Sequence, residues 1–278
     1  MKIDRKGMNG TSEFIIPGFV GIMIFVIIPL VDVFISSFQK SGTGSFAGLQ
    51  NYALVMENDA FRLAAGNSIR FELVSVPWLI VISLVVAIEV HGMKSNIIKF
   101  AFLIPMAIPS NSLTVVWRIL FDDQGVVNNM IIRWGLGEPV SFLSGRAVFW
   151  LFVCTFIFKN IGYNMWKITL PNIRRPFFIV AMLSVVNSLK IFREQYLMAG
   201  GYPDMMIYQI QHIFNNWFEK LEISKLTAGA VLTALVFFGV ILIIKCICLT
   251  DWYGVKLKIR RGFLLRKPKQ QERGEGCR

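Results

Sequence analysis

The chain has 278 residues, of which 55% are hydrophobic and only 17% charged, and its mean hydropathy is +0.58. Soluble chains carry about 25% charge, so this composition excludes an ordinary soluble domain. The net charge of +12 would suggest nucleic acid in a soluble protein, but the basic residues lie between apolar stretches and form no patch with interleaved aromatics, which argues against it.

Met1 to Ser12 is polar and basic. Phe14 to Phe38 is then almost continuously apolar and exceeds the roughly 20 residues a bilayer crossing needs. It is too long for a signal-peptide core and has no clear small-residue cleavage site, so it reads as an uncleaved first span, kinked at Pro17 and Pro29. Gln39 to Asn67 reads as a polar loop with the turn SGTGS. Ser68 to Val90 is a second span interrupted by Pro77, and His91, Lys94 and Lys99 form a short basic connection. Phe100 to Phe121 is a third span carrying Pro105 and Pro109, which serve either as static kinks or as a flexing point. Asp122 to Arg146 is a loop with the turn signals DDQG and GLGEP. Ala147 to Trp166 is the fourth span, and a basic hinge with Pro171, Arg174, Arg175 and Pro176 leads into the fifth, Phe177 to Ala199. Gly200 to Lys225 is a polar loop, Leu226 to Leu249 the sixth span, and the remainder a basic tail. The domain expectation is a cytoplasmic N-terminus over 1–12, a six-span body over 13–250 and a basic cytoplasmic tail over 251–278.

Lys and Arg mark orientation, because cytoplasmic loops carry their excess. One side receives Lys2, Arg5, Lys6, Lys94, Lys99, Lys167, Arg174, Arg175 and the tail. The other receives only Lys40, Arg62, Arg133, Arg146, Lys220 and Lys225. Both termini are therefore expected in the cytoplasm of a multi-pass plasma-membrane protein. The four cysteines lack metal-ligand spacing. The two histidines, His91 and His212, fall on opposite sides, which speaks against an intramembrane enzyme. No catalytic residue, metal site or P-loop is expected.

The order and wording of several motifs resemble the inner-membrane permease of binding-protein-dependent ABC importers of the maltose, multiple-sugar and glycerol-3-phosphate type. The matching stretches are FIIPGFVGIMIFVIIPLVDVFISSF, Phe46 to Tyr52, GNSIRFELVSVP, FLIP with IPS and VVWRILFDDQGVVNN, KNIGYNM, and KITLP followed by SLKIFREQYLMAGGYP. The resemblance implies an all-α integral membrane fold with six transmembrane helices of the ABC importer permease (MetI-like) type. It further implies a second permease subunit as heterodimer partner, a cytoplasmic ATPase dimer that uses ATP and Mg, an extracytoplasmic sugar-binding protein, and a bacterial cell membrane. This chain would bind no cofactor itself. The family's cytoplasmic coupling motif survives only as Ile168, Leu170 and Pro171, roughly 30 residues of it being absent by family pattern. That shortening leaves a second reading open, a degenerate permease that folds and dimerises without coupling to an ATPase.

On a regular helix Ser188, Phe192, Gln195 and Ala199 share a stripe, with Asn187, Lys190, Glu194 and Met198 on adjoining faces. Ser188, Gln195, Phe192 and Tyr196 supply the hydroxyl-bonding and ring-stacking groups a sugar path uses. Lys190 and Glu194 either face the path or only neutralise one another as an i,i+4 pair, and Arg193 either satisfies Glu194 or snorkels to the interface. In the fourth span Lys159, Asn160, Tyr163 and Asn164 form a polar stripe that either faces a cavity or bonds between helices.

Overall fold

The computed structural model describes residues 16–91, 96–168 and 174–264. The regular elements among them are helical. In chain order they are α1 (Ile16–Ser36), α2 (Gln50–Glu57), α3 (Asp59–His91), α4 (Asn96–Ala101), α5 (Ile104–Ala107) and α6 (Ser110–Phe121). There follow α7 (Val126–Arg133), α8 (Gly145–Ile168), α9 (Arg174–Ser188), a 3₁₀ turn (Leu189–Ile191), α10 (Phe192–Ala199), α11 (Ile210–Glu219) and α12 (Ile223–Leu264). Among the described residues, four segments are long and apolar enough to cross a membrane: α1, Asp59–Val90, Gly145–Gly162 and Ile223–Ile243.

The third and fifth expected spans are not single helices, and proline and 3₁₀ geometry explain why. Pro109 cannot donate a backbone bond and forces the residue before it out of the helical region. Ile108 is accordingly extended, with ψ of 122°, and a new helix begins at Ser110. The expected kinks are thus full breaks. In the fifth span the 3₁₀ turn advances 120° per residue against 100°, which rotates α10 by roughly 60° relative to α9. Pro77, by contrast, leaves α3 helical throughout, because a membrane helix absorbs one lost bond through local adjustment. In α1 the turn Met23–Ile27 is wound as π-helix immediately before Pro29, whose ring removes the bond to Phe25.

Three expected loops carry helices. The α3 helix starts at Asp59 rather than Ser68, because Asn58 Oδ1 accepts the Phe61 N–H at 2.9 Å and caps the first turn. α7 lies inside the loop after the third span and is clamped by buried Asn128, which donates to the carbonyls of Asp123 and Val140 and accepts the Val140 N–H. α11 lies in the loop before the last span and buries Ile213 and Trp217. Trp217 stacks on Phe61 at 6.0 Å, and with Val55, Ala64 and Ala228 they form an apolar cluster that ties α2, α3, α11 and α12 together.

The main core lies where α3 packs along α8. Phe71 sits edge-on to Phe149 and Phe156 at 6.2 and 5.8 Å, surrounded by Leu79, Phe152 and Val153. α9 closes against α3 through Val180, which meets Ala87 and Val90, and against α8 through Ser184, which accepts from Asn164. Helices in lipid gain little from apolar contact alone and rely on close packing. Gly162 of α8 supplies that closeness: a Cβ there would stand 1.9 Å from the Phe102 carbonyl oxygen. Gly162→Ala is expected to cost about 1–3 kcal/mol through overpacking and to lower the melting temperature of detergent-purified protein by several degrees. Gly239→Ala, with open space around its Cβ position, should leave the melt unchanged.

Candidate functional site

The break at Pro109 sets up the site. It places Ser110 at the first turn of α6, where unpaired backbone N–H groups and the helix dipole favour negative charge. Ser110 Oγ donates to Glu194 Oε1 at 2.7 Å. Lys159 Nζ donates to Ser110 Oγ at 3.2 Å and forms an ion pair with the same Glu194 oxygen. Glu194 is 3% exposed and Lys159 20%, so the carboxylate is sealed while the ammonium keeps one side open. Three separate pieces of chain, α6, α8 and α10, meet in this triad.

Beside it lies a cavity of about 450 Å³. Lys159, Asn160 and Phe156 of α8 form one wall, and Leu183 and Asn187 of α9 with Lys190, Ile191 and Glu194 form another; Met106 of α5 completes the lining. Asn160 donates its amide to the Phe156 carbonyl at 2.9 Å, which leaves its Oδ1 to accept. The cavity wall is thus mostly apolar with a few polar groups converging on it, the usual make-up of a small-molecule site.

The remaining expected residues fall elsewhere. Lys190 and Glu194 do not form the i,i+4 pair: the 3₁₀ turn changes the phase between them, and Glu194 is taken by Lys159 from another helix. Arg193 is exposed and Glu194 is satisfied without it. Asn164 is buried and donates to Ser184 Oγ at 3.1 Å, so it joins α8 to α9 and does not line the cavity. Ser188 is buried behind the wall, where its Oγ donates to the Val185 carbonyl at 2.6 Å and meets Glu72 Oε1 of α3 at 3.1 Å. Gln195 is fully buried, with no hydrogen-bond partner among the described residues. Phe192 and Tyr196 turn towards α11: Phe192 stands edge-on to His212 at 4.7 Å, and Tyr196 donates to Glu219 at 3.4 Å. The Tyr163 side chain, Leu170 and Pro171 lie outside the described residues, and Ile168 ends α8.

Ser110, Met106 and Glu72 were not singled out by the sequence. A serine directly after proline at the start of a helix, and an acid inside an apolar span, were the available signals. Arg118 of α6 was also missed. It donates to the Met198 carbonyl at 2.6 Å and so satisfies the C-terminal end of α10.

His212 is fully buried in the cap over α10. Its Nδ1 accepts the Gln209 N–H at 3.2 Å, and burial lowers its pKa from 6.5 to about 4.

No family model matches the chain. Among curated proteins, the osmoprotective compounds uptake permease protein GgtC of Synechocystis sp. is 22% identical over 226 residues, covering 68% of this chain and 81% of that protein. The lactose transport system permease protein LacF of Rhizobium radiobacter is 26% identical over 187 residues, covering 63% of this chain; the match takes in 62% of LacF, less than two thirds of its length. The fold is similar to a chain of a bacterial ABC transporter involved in the import of the acidic polysaccharide alginate, with a TM-score of 0.72, 15% identity, and coverage of 88% of this chain and 96% of that one. A second structure of a bacterial alginate ABC transporter, in complex with an alginate pentasaccharide-bound periplasmic protein, matches with a TM-score of 0.66 and 16% identity over 87% of this chain and 94% of that one.

Two outcomes are expected. Lys159→Met strands a buried carboxylate and should cost about 3 kcal/mol, whereas Lys159→Met with Glu194→Leu should return to within about 1 kcal/mol of the parent in thermal melts, since pairwise removal avoids the unpaired charge. For His212, the unfolded chain takes up a proton between pH 6.5 and about 4 that the folded chain refuses. Its contribution is therefore complete above pH 6.5 and lost as pH falls towards 4. Melting temperature should drop between pH 7 and 5, and His212→Gln should flatten that dependence.

Proposed function

We propose that this chain, which belongs to the permease subunits of binding-protein-dependent ABC sugar importers, lines half of a translocation path with the cavity beside Lys159 and Glu194. The observation that carries the reading is a cavity of about 450 Å³ inside a helical bundle, with Lys159, Asn160, Asn187, Lys190 and Glu194 converging on an otherwise apolar wall. Ionisable groups at membrane depth are expensive, and here they line a cavity from α8, the 3₁₀ turn and α10. The fold likeness to ABC transporter chains and the permease relatives support the same assignment.

In this reading a second permease completes the path, and an ATPase pair with ATP and Mg supplies the energy from the cytoplasmic side. An extracytoplasmic binding protein delivers a carbohydrate to the end bearing α2, α7 and α11. Both termini then face the cytoplasm, as the Lys/Arg distribution requires, with residues 13–250 forming the membrane body and 251–278 a basic tail. The chain itself performs no bond chemistry; its residues bind, orient and give way.

Only residues 169–173 separate α8 from α9, so an ATPase contact made through this connection, which includes Leu170 and Pro171, rests on a short segment. Purification from native membranes through a tag on this chain tests the assignment. The expected result is co-purification of a second permease and an ATPase, with hydrolysis stimulated several-fold by sugar-loaded binding protein. A complex without the ATPase, or hydrolysis indifferent to the binding protein, would contradict it.

A further inference from the structure

We infer that the cavity selects a carbohydrate that carries an anionic group, a carboxylate or a phosphate, and that Lys190 is the residue that meets it. The inference rests on the transport reading above and names the substrate class of the same site.

Three ionisable side chains line the cavity, Lys159, Lys190 and Glu194. Glu194 is committed: it accepts from Ser110 and pairs with Lys159, and it is 3% exposed. That leaves one positive charge in excess on the wall. The Lys190 side chain has no ion pair or hydrogen bond among the described residues, and it is exposed where it lines the cavity. The 3₁₀ turn that carries it is what separates it from Glu194, the acid it would otherwise reach one turn on.

An empty cavity of this size holds water, and water solvates the Lys190 ammonium. A ligand that enters displaces that water. A neutral sugar offers hydroxyls, which replace the lost hydrogen bonds but leave the charge without a counter-charge. A ligand with a carboxylate or phosphate restores both the hydrogen bond and the charge balance, and charge-assisted bonds are the stronger kind. Asn160 Oδ1 and the Asn187 amide lie on the same wall and are suited to the hydroxyls beside the anion. Lys159 is held by its pair, so the anion is met by Lys190.

The test uses the complete complex purified through this chain, without the binding protein, so that ligand contact with the membrane subunits is read directly. Three probes are titrated against its melting temperature: trigalacturonate, glucose 1-phosphate and neutral maltotriose. Saturable stabilisation is expected from an anionic probe. Lys190→Gln should raise its half-saturating concentration about ten- to a hundred-fold, and Lys190→Arg should recover most of the affinity. A response to trigalacturonate alone assigns a uronate, and a response to glucose 1-phosphate alone assigns a phosphate. Saturable binding of maltotriose that ignores Lys190→Gln, or no response to either anion, would overturn the inference. Binding-protein-stimulated ATP hydrolysis is measured on the same preparation. If it persists while the anion response is absent, the transport reading stands and only the substrate class fails; if it is missing, the reading itself falls.

Discussion

A buried ion pair organises this helical bundle. Glu194 of α10 is 3% exposed, and a buried carboxylate needs a partner; Lys159 of α8 pairs with it while Ser110 of α6 holds it in place. Because the three residues come from three distant parts of the chain, the pair fixes how the broken third and fifth spans sit against the fourth. Such a pair adds little net stability, since desolvating two charges offsets most of their attraction. Its effect is on geometry: α6 must start where Ser110 reaches the carboxylate, and α10 must turn so that Glu194 faces inward.

The helix breaks serve that arrangement. An uninterrupted helix through Phe100 to Phe121 would have no N-terminus at membrane depth and no Ser110 aimed at a carboxylate. The extended backbone at Ile108 and Pro109 creates both. The 3₁₀ turn Leu189–Ile191 plays the equivalent part on the other wall, separating Lys190 from Glu194 and leaving the two to face different partners. Irregular backbone is tolerated inside a bilayer where it is buried in protein or lines a cavity, and the cavity of about 450 Å³ opens beside these interruptions. Around it the uninterrupted α3 and α8 form the rigid frame.

The helical membrane architecture was legible in the sequence because apolar runs of about 20 residues have few other uses. The broken spans were less so: Pro105 and Pro109 announced a disturbance, but whether proline bends or ends a helix depends on what receives the freed backbone groups. Pro77 shows the other outcome in α3. The short helices α2, α7 and α11 sit in stretches whose composition reads as loop, and the clusters that stabilise them join residues far apart in sequence, as with Phe61 and Trp217. Among the site residues, Lys159, Asn160, Lys190 and Glu194 reach the cavity. Ser188 and Gln195 do not, because the stripe was drawn on an ideal helix and the real one changes pitch at Leu189. Ser110 had no periodic signal, as its role depends on a contact across 84 residues.

The central claim is that this cavity belongs to a path that opens and closes. Cysteine accessibility tests it most directly, in a chain cleared of its own cysteines and assembled with its partners. Asn187→Cys, on the cavity wall, is predicted to react with a membrane-impermeant maleimide at a rate that changes several-fold between the resting complex and the complex trapped with ATP. Val180→Cys, buried where α9 packs on α3, should stay unreactive in both. An Asn187→Cys that is equally unreactive in every state would contradict the account, since a substrate path must meet water on one side or the other.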